Sequence, residues 1–307
     1  MILVSRLLRA IVSLMVIVTL VFVAMRLTGD PILAMFNPDD YTDEALDAYR
    51  RLYGYDGTIF QQYLSYVSNV FQGRFGMSSI ANRDALGVVL ERIPATLTLV
   101  GWSALVMFTV GIPVGAIAAL NVGGRVDRLV MAGSTAGFAM PNFVLGLMLI
   151  LLFSVYLHWL PSNGSGTWQH MIMPVLTIGL AKAAIFTRFV RSAVIDALKL
   201  NCVTSARARG LEEWQIFVHH VAPNALLPLV TIAPLLVGAM VSAGSVVESV
   251  FGWPGIGRLI VDSVGQRDLA VLQVIIMLVA ALMILTNLVV DLAYGRLDPR
   301  TSLAHSR

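Results

Sequence analysis

Six stretches of this chain run for about 20 residues or more with almost no charge, and a helix of that length spans a hydrocarbon layer. They lie roughly at 10–27, 95–120, 129–157, 171–189, 226–247 and 271–293. Only 13% of the 307 residues are charged, and 57% are hydrophobic. Water-soluble domains carry about 25% charged residues. Too few charges remain to coat a surface in water, so the pattern predicts an all-α integral membrane protein with six transmembrane helices. Pro141 and Pro174 blur the edges of the third and fourth runs, and no run repeats another.

The first run follows Arg6 and Arg9, as the apolar core of a signal peptide would. It is long for such a core, and no small-x-small cleavage site follows, so an uncleaved first helix is expected. The net charge of +3 and the absence of a basic block argue against nucleic acid as a partner. Cys202 is the single cysteine, which excludes an intramolecular disulfide.

Arginine and lysine set the orientation. Arg6 and Arg9 precede the first run, and Arg125 and Arg128 lie between the second and third. Arg188, Arg191, Lys199, Arg207 and Arg209 lie between the fourth and fifth, and Arg296, Arg300 and Arg307 end the chain. The alternate connections are poor in bases or offset by acids. Both termini are therefore expected in the cytoplasm. The segment 29–94 falls on the opposite side and contains two helix-like stretches, 42–54 and 59–71. It reads equally as a small helical cap and as a docking surface for an external partner. The expected organisation is an N-terminal transmembrane helix (1–28), an extracytoplasmic helical segment (29–94), a five-helix core (95–293) and a cytoplasmic tail (294–307).

Within the core, residues 201–223 break the apolar pattern. "NCVTSARARG" can form a short helix capped by Asn201 and closed by Gly210 in the left-handed region. "LEEWQIFVHHV" can form a second, with Trp214, Phe217, Val218 and Val221 as one apolar stripe and Glu212 and Glu213 in its first turn. Pro223 is expected to break this helix, and Asn224 to cap the next. Such an amphipathic elbow either lies in the lipid interface or docks into a groove on a soluble partner, and spacing alone leaves both open.

The run "TSARARG", nine residues, then "HVAP" resembles the EAA loop of bacterial ABC importer permeases. "HHVAPNALLP" is similar to the dipeptide/oligopeptide/nickel branch, with Pro223 in place of a usual arginine, Thr204 where the general pattern has glutamate, and Asn201-Cys202-Val203 where Asp-Tyr-Val is common. Further blocks resemble the branch in the same order: "LTGDP", "GRFGMSS", "ERIPATLTL", "FAMPNFVLGLMLILLFSVYLHWLP", "VVESVFGWPGIGRLIVDSVGQRD" and "DLAYGRLDPR". The resemblance covers almost the whole chain. It implies a type I ABC importer permease fold in a bacterial inner membrane, with an EAA-type coupling helix seated on an ATPase subunit. By that resemblance Ala206, Arg209, Gly210, Leu211, Glu212, Glu213, Trp214, Phe217 and Val218 form the ATPase contact.

The implied partners are a second homologous permease chain, two ABC ATPase subunits, an extracytoplasmic substrate-binding protein and the lipid bilayer. The chain lacks a G-x-x-x-x-G-K-[ST] loop, so ATP and Mg are assigned to the partner subunits, with no cofactor expected in this chain. It lacks H-E-x-x-H and G-x-S-x-G as well, and no enzyme activity is expected. His219 and His220 are adjacent and diverge on a helix, which disfavours a metal site. Lys182, inside the fourth run, either lines a path or makes a structural contact. Asn142 follows a local break at Pro141, and Glu248 and Trp253 flank the end of the fifth run at "FGWPGIG". These four are the candidate translocation-path or outer-gate residues. Asp291 reads as structural.

The leading expectation for the cargo is a dipeptide or oligopeptide, with nickel or another small solute as the alternative. A stand-alone secondary transporter is the competing class, and missing repeat symmetry and scarce intramembrane acids weigh against it.

Overall fold

The computed structural model of the chain describes residues 2–28 and 57–282, with single positions between 42 and 51. The expected helix at 42–54, Asp291, the far end of the sixth apolar run and the tail 294–307 lie outside the described residues. In chain order the helices begin with α1 (Ile2–Thr28), α2 (Ile59–Phe71), α3 (Ala85–Leu90), α4 (Ile93–Leu120) and α5 (Arg125–Ala139). Then come α6 (Asn142–Leu149), which widens into a π-helix at Ile150–Tyr156, and α7 (Gln169–Leu198). After α8 (Asn201–Ala208) and α9 (Glu213–Ile216), a π-helix at Phe217–Val221 leads into α10 (Ala222–Val250). The last two are α11 (Ile256–Gly265) and α12 (Leu269–Leu282). Among the described residues the single departure from helix and loop is an isolated bridge between Met77 and Asp84.

The chain divides into two compact units, residues 1–91 with 262–307, and residues 92–261. In the first unit, Val18, Val21 and Phe22 of α1, Tyr66 of α2 and Met277 of α12 share a small core. Phe22 meets Tyr63 edge-on at 5.3 Å, and Thr19 Oγ1 lies 2.8 Å from the Tyr63 hydroxyl. Helix α2 starts at a capping box, in which the Gln61 side chain accepts from Thr58 N at 2.9 Å while Gln61 N donates to Thr58 Oγ1. Ser78 donates to the buried Asp268 carboxylate at 2.5 Å, which ties the 73–84 loop to the start of α12.

The second unit is built on α4, α7 and α10. Leu99, Met107, Met173, Ile178, Phe186, Met240 and Val247 are its most deeply buried side chains. Helices α4 and α7 approach closely through glycine. A Cβ on Gly115 would lie 2.7 Å from the Thr187 carbonyl oxygen, and one on Gly179 would lie 2.7 Å from Val106 Cβ. In lipid, where apolar side chains gain little by leaving their solvent, such small-residue contacts supply the packing energy.

Among the described residues, three helical runs are long and apolar enough to cross a membrane: Ala85–Leu120, Gln169–Leu198 and Glu213–Val250. The expected third span is bent by 101° between Ala139 and Asn142, and counting the bent pair as one span gives a fourth. Pro141 accounts for the bend. It forces Met140 out of helical geometry to φ −79°, ψ 124°, and α6 restarts behind it. Within the described residues, α1 carries the apolar stretch Ile11–Ala24, and Leu269–Leu282 is an apolar stretch of α12.

The fourth apolar run, expected at 171–189, lies within α7, and the helix continues past it to Leu198, where Val190, Ala193, Val194 and Ala197 keep an apolar face buried beyond the charged Arg188 and Arg191.

Candidate functional site

The polar interruption folds as an elbow of two short helices around Gly210. Arg209 ends α8, and Gly210 adopts φ +78°, a region that a residue with a Cβ enters at a cost. Gly210 N donates to the Arg207 carbonyl at 2.9 Å and Leu211 N to the Ala206 carbonyl at 3.3 Å. These two bonds are a Schellman closure, which satisfies the last carbonyls of α8. The start of α8 differs from expectation. Leu200, not Asn201, is the N-cap, because its carbonyl already receives Val203 N at 3.0 Å and Thr204 N at 3.3 Å in an unaided turn.

On the far side of the elbow, Glu212 caps α9, with Glu212 N bonded to Gln215 Oε1 at 3.2 Å and Trp214 Nε1 donating to Glu212 Oε2 at 2.5 Å. Arg207 spans the elbow and donates to both oxygens of Glu213, at 2.8 and 3.0 Å. These bonds hold the Glu213 carboxyl below its ordinary range.

The four residues of the expected apolar stripe line one cavity but differ in burial. Ile216 and Val221 are fully buried with Val203 and Ala206, and Phe217 packs against the same core. Trp214 and Val218 point outward, 60% and 52% exposed, beside the partly exposed Leu211. A π-helix occupies Phe217–Val221. The same turn overturns the expected break at Pro223. Proline lacks an N–H for the ladder, and the wider turn lets the helix continue with Pro223 as the second residue of α10. Asn224 is likewise not a cap for a new helix, since its Nδ2 donates back to the His220 carbonyl at 2.7 Å. Trp214, Ile216, Phe217, Val218 and Val221 line this cavity of about 340 Å³ with Leu120, Leu198 and Glu213.

Glu248 and Trp253 are brought together at the other end of α10. The Glu248 side chain is 1% exposed and accepts from Thr96 Oγ1 at 2.9 Å and from Arg258 N at 3.0 Å. Trp253 N donates to the Glu248 carbonyl at 2.8 Å, and Trp253 Nε1 donates to the Ala95 carbonyl at 3.0 Å. Thr96 Oγ1 also accepts from Ile256 N at 2.8 Å. A Cβ on Gly255 would overlap the Glu248 carboxylate. The arrangement fastens the 251–257 turn to the first turn of α4, and both carboxylate oxygens are occupied in doing so. Thr96 and the Ala95 carbonyl carry no local signal in sequence, because they stand about 150 residues from their partners (|i−j| of 152 and 158).

Asn142 and Lys182 do not join that cluster. Asn142 is the first residue of α6, and Lys182 is half-buried in the middle of α7. His219 is exposed, with Nδ1 2.9 Å from the Gln215 carbonyl. Sequence reasoning also missed a partly buried pair, in which Arg191 binds Asp127 through Nε to Oδ1 at 2.5 Å and Nη2 to Oδ2 at 2.7 Å.

Comparison with known proteins agrees with a membrane helix bundle. Residues 111–303 match the family "Binding-protein-dependent transport system inner membrane component". Residues 1–100 match its N-terminal companion, "Binding-prot-dependent transport system membrane comp, N-term". The chain is 38% identical over 297 residues to the glutathione transport system permease protein GsiC of Escherichia coli (strain K12), covering 96% of this chain and 97% of the relative. The proteins of the same name from Shigella dysenteriae serotype 1 and Shigella flexneri serotype 5b match with the same identity and coverage. With both families in register along its length and relatives covered end to end, the chain belongs to the inner membrane components of binding-protein-dependent transport systems, as an ABC importer permease subunit of the dipeptide/oligopeptide/nickel branch.

Proposed function

We propose that this permease imports small peptides, that it spans the membrane six times with both termini in the cytoplasm, and that residues 201–223 are its coupling elbow. It pairs with a second homologous permease chain. Two ABC ATPase subunits bind and hydrolyse ATP with Mg, and an extracytoplasmic binding protein delivers the cargo. The permease contributes no cofactor and no covalent chemistry. It alternates access between the two sides.

The observation that carries the reading is the uneven burial of the elbow. Val203, Ala206, Ile216 and Val221 are locked into the core, while Trp214, Val218 and Leu211 stay largely uncovered beside them. An aromatic residue exposed beside small apolar neighbours suits a groove on a partner protein. The peptide assignment draws on the relatives, which are named for the transport of glutathione, itself a small peptide.

The test is to co-express the chain with its neighbouring transporter subunits, purify the complex and identify by mass spectrometry what the binding protein retains. Peptides that stimulate ATP hydrolysis by the complex, together with no hydrolysis by the isolated permease, are the expected result. A retained metal chelate or sugar would replace the peptide assignment, and robust hydrolysis by the isolated chain would overturn the division of labour.

A further inference from the structure

One partly buried charge pair belongs neither to the elbow nor to the turn after α10. Asp127 stands in the first turn of α5, with its side chain 5% exposed. Its carboxylate receives two parallel bonds from Arg191 and a third from Gly123 N at 2.9 Å. A bidentate guanidinium–carboxylate pair fixes orientation as well as distance. Further along the same helix, a Cβ on Gly137 would lie 3.1 Å from the Ala184 methyl of α7. Helix α5 is thus held to α7 at two places, by charge at its first turn and by close packing near its last.

Arg191 stands seven residues before the end of α7, and the intervening Ala193, Val194 and Ala197 are buried in the same core as the inward face of the elbow. The elbow and the end of α7 therefore pack as one body.

We infer that the Asp127–Arg191 pair is a positioning pair that makes the bent span α5–α6 follow the elbow. When the elbow is displaced, α7 moves with it, and the pair carries that motion to α5 and into the bend at Pro141. An apolar contact at this point could slide at little cost. A buried carboxylate cannot leave its guanidinium without losing compensation for its charge, so α5 cannot lag behind α7. This role rests on the coupling reading of the elbow.

The test uses the complete complex in nanodiscs and proteoliposomes, reading uptake per ATP hydrolysed for Asp127→Asn, Arg191→Lys, Arg191→Gln and the Asp127→Asn/Arg191→Gln double variant. Lysine keeps the charge at 191 but not the two-pronged geometry. Each single variant is expected to stay assembled, to hydrolyse ATP and to lose about fivefold or more in uptake per ATP. The double variant is expected to be no worse than the weaker single, because both changes cut the same link.

Uptake per ATP at the wild-type level in the single variants, or losses that multiply in the double, would overturn the role. If every variant fails to assemble, the pair is a folding element and the inference is wrong. Trp214→Ala in the same preparation separates the two ideas. If that variant transports normally, the elbow reading falls. If it fails while the Asp127 and Arg191 variants transport normally, only the positioning role falls.

Discussion

Replacing Trp214 by alanine separates docking from folding. The side chain leaves 60% of its surface uncovered in this chain. A tryptophan has up to about 250 Å² to bury, so roughly 150 Å² remains for a partner. At about 25 cal/mol per Å² that area is worth up to ~4 kcal/mol. Ordering and imperfect contact reduce the return, so a loss of about 2–4 kcal/mol is expected. That corresponds to a roughly 30- to 700-fold weaker Kd for the ATPase subunits.

The measurement is a titration of purified ATPase onto nanodisc-held permease by biolayer interferometry. Ile216→Ala is the contrasting control. Ile216 is completely buried, so its loss of about 2–5 kcal/mol falls on the stability of the permease itself and appears as a lower Tm before any ATPase is added. If Trp214→Ala shifts the Kd by less than about threefold and uptake stays normal, this face meets lipid rather than protein, and the magnitude argument collapses with it.

Three further outcomes are expected. Gly210→Val forces a β-branched residue into φ +78°, so it should leave ATPase subunits partly bound while abolishing uptake, measured by co-purification and vesicle transport. Glu248→Ala removes both acceptor oxygens and leaves the Arg258 N–H without its carboxylate partner, and one unsatisfied buried group costs about 1–3 kcal/mol, so the detergent-solubilised Tm should drop; an unchanged Tm would show that the cluster does not hold the turn. The exposed Cys202, the single thiol, should resist a membrane-impermeant maleimide in intact spheroplasts and react in inverted vesicles stripped of ATPase, and labelling in spheroplasts would reverse the assigned orientation.

Much of the local structure was legible because its causes are local. The left-handed glycine at 210, the helix at Ile59–Phe71 and the break at Pro141 each follow from a few neighbouring residues. The π-helix at Phe217–Val221 was not legible. Pro223 announces only that an N–H is missing, and a widened turn absorbs that loss as readily as a break does. The partners of Glu248 were hidden for another reason. A carboxylate at the end of an apolar helix looks the same in sequence whether it faces a pathway or is consumed by a hydroxyl and a backbone N–H from distant positions.

The distance along the chain between Asp127 and Arg191 has a consequence for biogenesis. The two are 64 residues apart, and the aspartate is made first. At about 5–20 residues per second the ribosome needs roughly 3–13 s to deliver the arginine. Throughout that wait the carboxylate has only Gly123 N and solvent to satisfy it. Its place at the head of α5, directly after a loop, makes the wait inexpensive, whereas the same charge in mid-helix would be stranded in hydrocarbon. The bent span is therefore synthesised unfastened, and its attachment must follow insertion of the next helix. Slowing elongation between residues 127 and 191 would lengthen the interval in which the nascent chain is open to quality-control proteases.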